Sequence, residues 1–243
     1  MFLNNFDAGF GARGGAAGQA IMSERMVYFD NPQSVITLHP FTVTLVTITA
    51  PVGHVGGRPA ILPAGMAAAT DGGNYWVGTA AIRPQAAKKI EFVTTLYSAT
   101  WADTKWVAGL AVVGTGVTAG IFGGTAPTDY ALISKDTDTS TIVGRCRKAS
   151  GTALAVDCNH SVPANATWQR LHVIMTRDAD TAGKGRVQVA FGADSLEQVP
   201  TVLDYVFPTQ FPDTVSMAMG FGWLSGANNT ALSHGKFGWR IHA

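Results

Sequence analysis

The sequence predicts an all-β protein, an antiparallel two-sheet β-sandwich behind an extended N-terminal arm. Three observations predict it. Charged residues make up only 14% of the 243-residue chain, against roughly 25% in typical soluble domains, so the Lys/Glu-rich faces of surface helices are missing. About ten short stretches alternate bulky apolar residues with polar or small ones at a period of two, the spacing of a strand with one buried face. From about Tyr75 onward, turn residues punctuate these stretches at short intervals, which favours strands joined by hairpins over an alternating series of strands and helices.

Residues 1–33 show no sustained period. Gly9, Gly11, Gly14, Gly15 and Gly18 sit among Phe2, Leu3, Phe6, Phe10, Ile21 and Met22, a mixture suited to an extended arm laid over an apolar surface. That surface belongs either to a neighbouring subunit, with those six apolar residues as contacts, or to the arm's own domain. Within the arm, GFGARG at residues 9–14 has the spacing of a dinucleotide-binding turn, which requires a strand before it and a helix after it. The preceding MFLNNFDA carries Asn4, Asn5 and Asp7 and no β-branched run. The match is therefore read as part of the arm and not as a phosphate cradle.

Residues 34–73 are expected to form one or two strands in SVITLHPFTVTLVTITA, then a Gly/Pro-rich loop packed on a neighbour or on the sandwich. Residues 74–243 supply the sandwich itself. Its clearest strand is VSMAMGFGW, where Val215, Met217, Met219, Phe221 and Trp223 alternate with Ser216, Ala218, Gly220 and Gly222. One face is bulky, and the small face can lie under another backbone or form the floor of a concave sheet. KIEFVTTLYS, WVAGLAVVG, TIVGRCRK, TALAVDC, WQRLHVIMTRD, GRVQVAFG and KFGWRIHA give similar signals. In GRVQVAFG the inward set is Val187, Val189 and Phe191, with Arg186 and Gln188 facing away. Cys146 and Cys158 flank RKASGTALAVD, read as a hairpin turning at Ser150 and Gly151. Two buried reduced thiols are expected there, with a cross-strand bond as the alternative.

The strand order resembles a concanavalin-A-like jelly roll. The likeness covers roughly Asn74 to Ala243 and rests on a Trp-led strand from Trp168 through LHVIMTRD, a turn at TAGKG, the strand RVQVAFGAD and the closing KFGWRIHA. Combined with the glycine-rich apolar arm, the low charge and an N-terminus without the regions of a signal peptide, it also resembles structural proteins of tailed bacteriophage particles. Auxiliary or decorating capsid proteins are the nearest kind. That resemblance implies a non-enzymatic virion component, made in the host cytoplasm and oligomeric. Its partners would be copies of itself and other virion proteins, the major capsid protein first.

The chemistry that the composition admits is narrow. A net charge of +1, with no basic cluster larger than Arg145, Arg147 and Lys148, gives no field to gather nucleic acid or anionic membrane. Hydrolysis by paired carboxylates needs two acids about 5–10 Å apart, and Glu91 and Glu197 have no acidic partner two residues away. No catalytic residue is assigned. DTDTST and RDADTAGKG read as acidic turns, the former because Thr141 and Arg147 stand where a calcium loop needs Gly and a bidentate Glu. No C-x-x-C, H-x-H or H-x-x-x-H spacing occurs, so no metal or cofactor is expected. Cys158 and His160 in DCNH lack an orienting third group.

Carbohydrate binding, as in a lectin-like module of a phage tail fibre, is the rival reading. Trp76, Tyr97, Trp101, Trp106 and Trp223 fall within the sandwich region, and aromatic rings stack on sugar faces. Trp101 and Trp106, with Asn228 and Asn229 of the SGANNTALSHG loop, are the candidate glycan contacts. The alternative for such rings is the core, where aromatics bury large areas.

Overall fold

The computed structural model describes residues 25–29, 41–43, 47–48, 52–53, 59–60, 63–64, 72–77, 82–112, 120–136, 141–224 and 232–242. In chain order its strands are β1 (Arg25–Phe29), β2 (Phe41–Val43), β3 (Thr47–Ile48), β4 (Val52–Gly53), β5 (Pro59–Ala60), β6 (Pro63–Ala64), β7 (Gly72–Val77), β8 (Lys89–Ser98) and β9 (Lys105–Ala111). They continue with β10 (Tyr130–Lys135), β11 (Thr141–Arg147), β12 (Leu154–Ser161), β13 (Thr167–Arg177), β14 (Gly185–Ala193), β15 (Thr201–Phe207), β16 (Ala218–Leu224) and β17 (Leu232–Ile241).

The chain is the expected antiparallel two-sheet sandwich of jelly-roll type. One sheet has six strands in the order β1-β17-β8-β13-β14-β15, the other seven in the order β12-β11-β10-β9-β16-β7-β2. β3 with β6, and β4 with β5, form two small ladders beside them. The sheets reach back beyond residue 74: β1, from the expected arm, pairs antiparallel with β17, and β2 with β7.

Alternation fills the space between the sheets. From the six-stranded side come Ile90, Phe92 and Leu96 of β8, Leu171, Val173 and Met175 of β13, and Val187, Val189 and Phe191 of β14. From the seven-stranded side come Leu110 of β9, Ile133 of β10, and Met219, Phe221 and Trp223 of β16. Each buried side chain of this size contributes about 1.5–3 kcal/mol relative to leaving it exposed, so these facing rows hold the sandwich together. Arg186 is exposed and Gln188 partly exposed, as the alternation in GRVQVAFG requires.

A second, smaller cluster covers the outer side of the seven-stranded sheet. Trp76, Val107, Ala111, Tyr130, Leu132 and Ala218 are buried there, with Ile121, Phe122 and Ala126 packed on them. The small face of β16 thus does lie under other chain. Arg147 ties that covering segment down, donating from Nη1 to the carbonyls of Ala126 and Pro127 at 3.2 and 3.1 Å.

The cysteine hairpin turns at Ala149 and Ser150. Cys146 lies opposite Leu154 in the ladder, four residues from Cys158, and both thiols are free and buried. Burial pushes the Cys146 thiol well up and the Cys158 thiol to about 12. RDADTAGKG forms the expected turn: Asp178 Oδ1 accepts from the main-chain N–H of Asp180 and Thr181 at 3.1 and 2.9 Å. GFGARG lies outside the described residues, as does most of DTDTST.

Candidate binding face

Two outer faces are available to a ligand, and they differ in cover. The seven-stranded face is buried around Trp76, Tyr130 and Leu132 beneath Ile121, Phe122 and Ala126. On the six-stranded face, most outward positions of β8 and β13 stay partly exposed, Val93 and Tyr97 on one strand and Trp168, Arg170, His172 and Ile174 on the other, while Thr95 between Val93 and Tyr97 is buried. Strand register sets them side by side, with Tyr97 opposite Trp168, Thr95 opposite Arg170 and Val93 opposite His172.

Tyr97 and Trp168 form an aromatic pair with ring centroids 5.3 Å apart and planes tilted by 37°. The strand end that carries Trp168 is fixed from inside. Trp101 Nε1 donates to the Thr167 carbonyl at 3.1 Å, Trp101 N donates to Asn165 Oδ1 at 2.9 Å, and Asp194 N donates to the Trp168 carbonyl at 2.9 Å.

Arg170, two residues along the same face, adds a polar group held in one orientation. Its Nε donates to Asp194 Oδ1 at 3.0 Å, and Nη2 donates to the Asp194 carbonyl at 3.0 Å and the Leu196 carbonyl at 3.5 Å. Asp194 is buried, and a carboxylate paired there with a guanidinium fixes the side chain more firmly than an exposed pair does. No described residue accepts from Arg170 Nη1, so that end of the fork remains a donor. Gly192 lies opposite Arg170 across the ladder, where a Cβ would meet Pro200 at 3.0 Å and Val199 at 3.3 Å. The loop after β14 thereby lies beside Arg170, with Leu196 exposed on it at 45%.

The same face ends in a charged group. Glu91 Oε1 contacts Lys89 Nζ at 2.8 Å and His242 Nε2 at 3.2 Å, and Arg240 is its cross-strand neighbour. Burial alone would raise the Glu91 carboxyl, but the hydrogen bonds from Lys89 and His242 outweigh it and hold the group below its ordinary value. Burial lowers His172, which favours its neutral form. From Tyr97 to Glu91 the face runs six residues along β8, about 20 Å at strand rise.

The candidate glycan contacts are placed differently from expectation. Trp101 and Trp106 are 0% exposed in the core, and so is Trp223. The assignment of Trp101 and Trp106 to a sugar surface is therefore corrected: their rings pack against Phe191, at 6.2 and 5.7 Å, because the largest apolar side chains stabilise most when buried between the sheets. Of the aromatics considered, Tyr97 alone is partly exposed among the described residues. Asn228 and Asn229, and the arm residues Phe2, Leu3, Phe6, Phe10, Ile21 and Met22, lie outside the described residues. Trp168 was within reach of the alternation: with Leu171, Val173 and Met175 inward, Trp168, Arg170 and His172 must face out.

No family model and no curated protein matches the chain. Solved structures do. A protein of unknown function from Shewanella oneidensis MR-1 overlays with a TM-score of 0.57 at 12% identity, covering 91% of this chain and 87% of that one. An endo-β-1,4-glucuronan lyase from Trichoderma reesei overlays at 0.54 and 10% identity, covering 89% and 94%. The carbohydrate recognition domain of Emp46p, in a point-mutant form, overlays at 0.53 and 9% identity, covering 86% and 90%. At such identities the likeness establishes the shared sandwich fold.

These overlays correct the expectation of a non-enzymatic chain. A polysaccharide lyase is built on the same sandwich, so this architecture is no ground for excluding catalysis. Phage proteins also occur among the neighbours, for example the CBM2 module of the evolved Dit of Lactobacillus casei BL23 phage J-1, at a TM-score of 0.48 and 10% identity. That overlay is too distant to carry weight.

Proposed function

We propose that the outer face of the six-stranded sheet recognises a saccharide, with Tyr97 and Trp168 as the stacking platform and Arg170 as the orienting donor. The observation that carries this reading is the partly exposed aromatic pair beside an arginine already held by buried Asp194. A sugar ring offers an apolar C–H face and a rim of hydroxyls, which an aromatic surface with one fixed donor complements. Preorganisation matters because ordering a long side chain on binding costs about 0.5–1.5 kcal/mol, a cost the Asp194 pair removes in advance. The neighbours named as a carbohydrate recognition domain and a glucuronan lyase support saccharides as the ligand class. A face extending about 20 Å suits an oligosaccharide laid along β8 and β13 better than a single sugar.

An oligosaccharide array, followed by calorimetric titration of the strongest binder, tests the reading. Trp168→Ala is expected to weaken binding at least about tenfold, or about 1.4 kcal/mol, while far-UV circular dichroism stays unchanged. An array without binders, or a Trp168→Ala protein that binds like the wild type, would refute it.

The setting we propose for this face is a virion, with the chain as a decorating or auxiliary component joined to copies of itself and to the major capsid protein through its N-terminal arm. The observation favouring it is the position of β1 at the edge of the six-stranded sheet: it pairs with β17 on one side, and its other edge bears no described strand. An open edge is a ready site for strand addition by a neighbour. Deleting residues 1–33 should abolish incorporation into particles and leave saccharide binding in place. Normal incorporation of the truncated chain would sink this setting without touching the saccharide reading.

A further inference from the structure

At the other end of β13, away from Trp168, three cations gather on one residue, two on its carboxylate and one on its main-chain carbonyl. Asp213, 5% exposed, takes Lys148 Nζ on Oδ1 at 2.7 Å and Arg177 Nε on Oδ2 at 2.8 Å. The Gly183 N–H adds a bond to Oδ2 at 2.9 Å, and Arg83 Nε donates to the Asp213 main-chain carbonyl at 3.3 Å. Gly183 has φ 77°, and a Cβ there would come within 2.8 Å of the Thr209 carbonyl and 3.2 Å of Lys148 Nζ. Glycine is what lets the turn close over the group.

The charges in this cluster do not balance. Lys148 and Arg177 meet the Asp213 carboxylate and Arg83 its main-chain carbonyl, so three cations share one negative charge and two positive charges are left over (3 − 1), in a chain whose entire net charge is +1. In the nearest turn Asp178 is engaged by Lys184 at 3.1 Å and by two main-chain N–H groups, and exposed Asp180 makes no described bond to any of the three cations. Both arginines spend Nε on Asp213, and no described residue accepts from the Nη atoms of either. Arg83 is exposed and Arg177 partly so. Cations held this close repel one another unless an anion joins them, and guanidinium forks match the paired oxygens of carboxylate, sulfate or phosphate.

We infer that Arg83, Arg177 and Lys148 form a binding site for the oxyanion group of a ligand. Asp213 positions the cations, and the unspent Nη atoms of the two arginines face the incoming oxygens. The site stands independently of the saccharide platform, from which β13 separates it by its whole length.

Sodium sulfate and sodium glucuronate, titrated separately into the full chain at ionic strength held constant with chloride, test the assignment by the NMR shifts of the arginine Nε–H groups. A saturable response with millimolar affinity is expected for at least one anion: sulfate alone identifies a tetrahedral dianionic group, and glucuronate identifies a carboxylate. Arg83→Ala should weaken binding about fivefold or more, and it should fold normally because Arg83 is exposed and bonds one carbonyl. Lys105→Ala, which removes a cation paired with Asp136, should bind like the wild type. The assignment is overturned if neither anion saturates, if Arg83→Ala retains full affinity, or if Lys105→Ala weakens binding equally.

Discussion

Replacing Asp213 with asparagine keeps the shape of this cation hub and deletes its negative charge. Burial alone would raise the Asp213 carboxyl; hydrogen bonds from Lys148, Arg177 and the Gly183 N–H overcome that and hold it at about 2, against an ordinary 3.8. At about 1.36 kcal/mol for each unit, the depressed carboxyl contributes about 2.5 kcal/mol of stability at neutral pH. The folded value lies below the unfolded one, so this contribution is complete above about pH 5 and is lost as pH falls through about 2. Breaking a fully buried pair costs about 3–5 kcal/mol. Here the Lys148 and Arg177 side chains are 21% and 20% exposed, and water screens what remains of them. Asp213→Asn is therefore expected to lose about 2–3 kcal/mol at neutral pH. Urea unfolding of both proteins from neutral pH down to about pH 2 measures it. The gap between them should narrow steadily below about pH 4. Asp178, also held at about 2, titrates in both proteins and cancels in the difference. A gap that stays constant across the acid range would show that the variant fails through shape and not through charge, and would refute the electrostatic account.

Three further outcomes follow from the packing. Trp106→Ala, emptying a site at 0% exposure against Phe191, should cost about 3–5 kcal/mol in a denaturant titration. Gly185→Ala places a methyl group against the ring of buried Phe211, and thermal melting should report a loss of about 1–3 kcal/mol from overpacking. Cys146 and Cys158 should resist a thiol reagent in the native protein and both react once the chain is unfolded without reductant, since burial disfavours both thiolates; the absence of both thiols from the unfolded chain would point to a bond between them.

Strands with one wet face were legible from alternation, and strands dry on both faces were not. KIEFVTTLYS, WQRLHVIMTRD and GRVQVAFG each present one inward row and become β8, β13 and β14 nearly to the residue. YALISK becomes β10 without alternating, because it is buried at all six positions. Ala131 and Ile133 face the main core, while Tyr130 and Leu132 lie under the second cluster. TVLDYVF becomes β15, whose ladder with β14 shifts register between Val189 and Ala190, and a shift of that kind breaks the period on which recognition depends. The site suffered in another way. Arg170 and Asp194 are 24 residues apart, and Asp213 meets Lys148, Arg177 and Gly183 only after the hairpins have closed. Spacing along the chain carries no trace of such contacts.

The two tryptophans expected on a sugar surface act underneath one. Trp101 and Trp106 both pack on Phe191, and His160 meets the same ring edge-on at 5.2 Å. Phe191 pairs in register with Leu171, three residues from Trp168, so this aromatic stack lies inside the end of β13 that carries the platform. Trp101 adds direction as well as bulk through its bond to the Thr167 carbonyl. Successive side chains leave a strand on opposite faces, so any rotation of the strand end swings the indole with it. A hydrogen bond on the preceding carbonyl restricts that rotation. An exposed indole on a loosely held strand end would lose orientational entropy with every ligand it stacked on. Here that loss is taken during folding, and buried Trp101 is what confines the partly exposed Trp168.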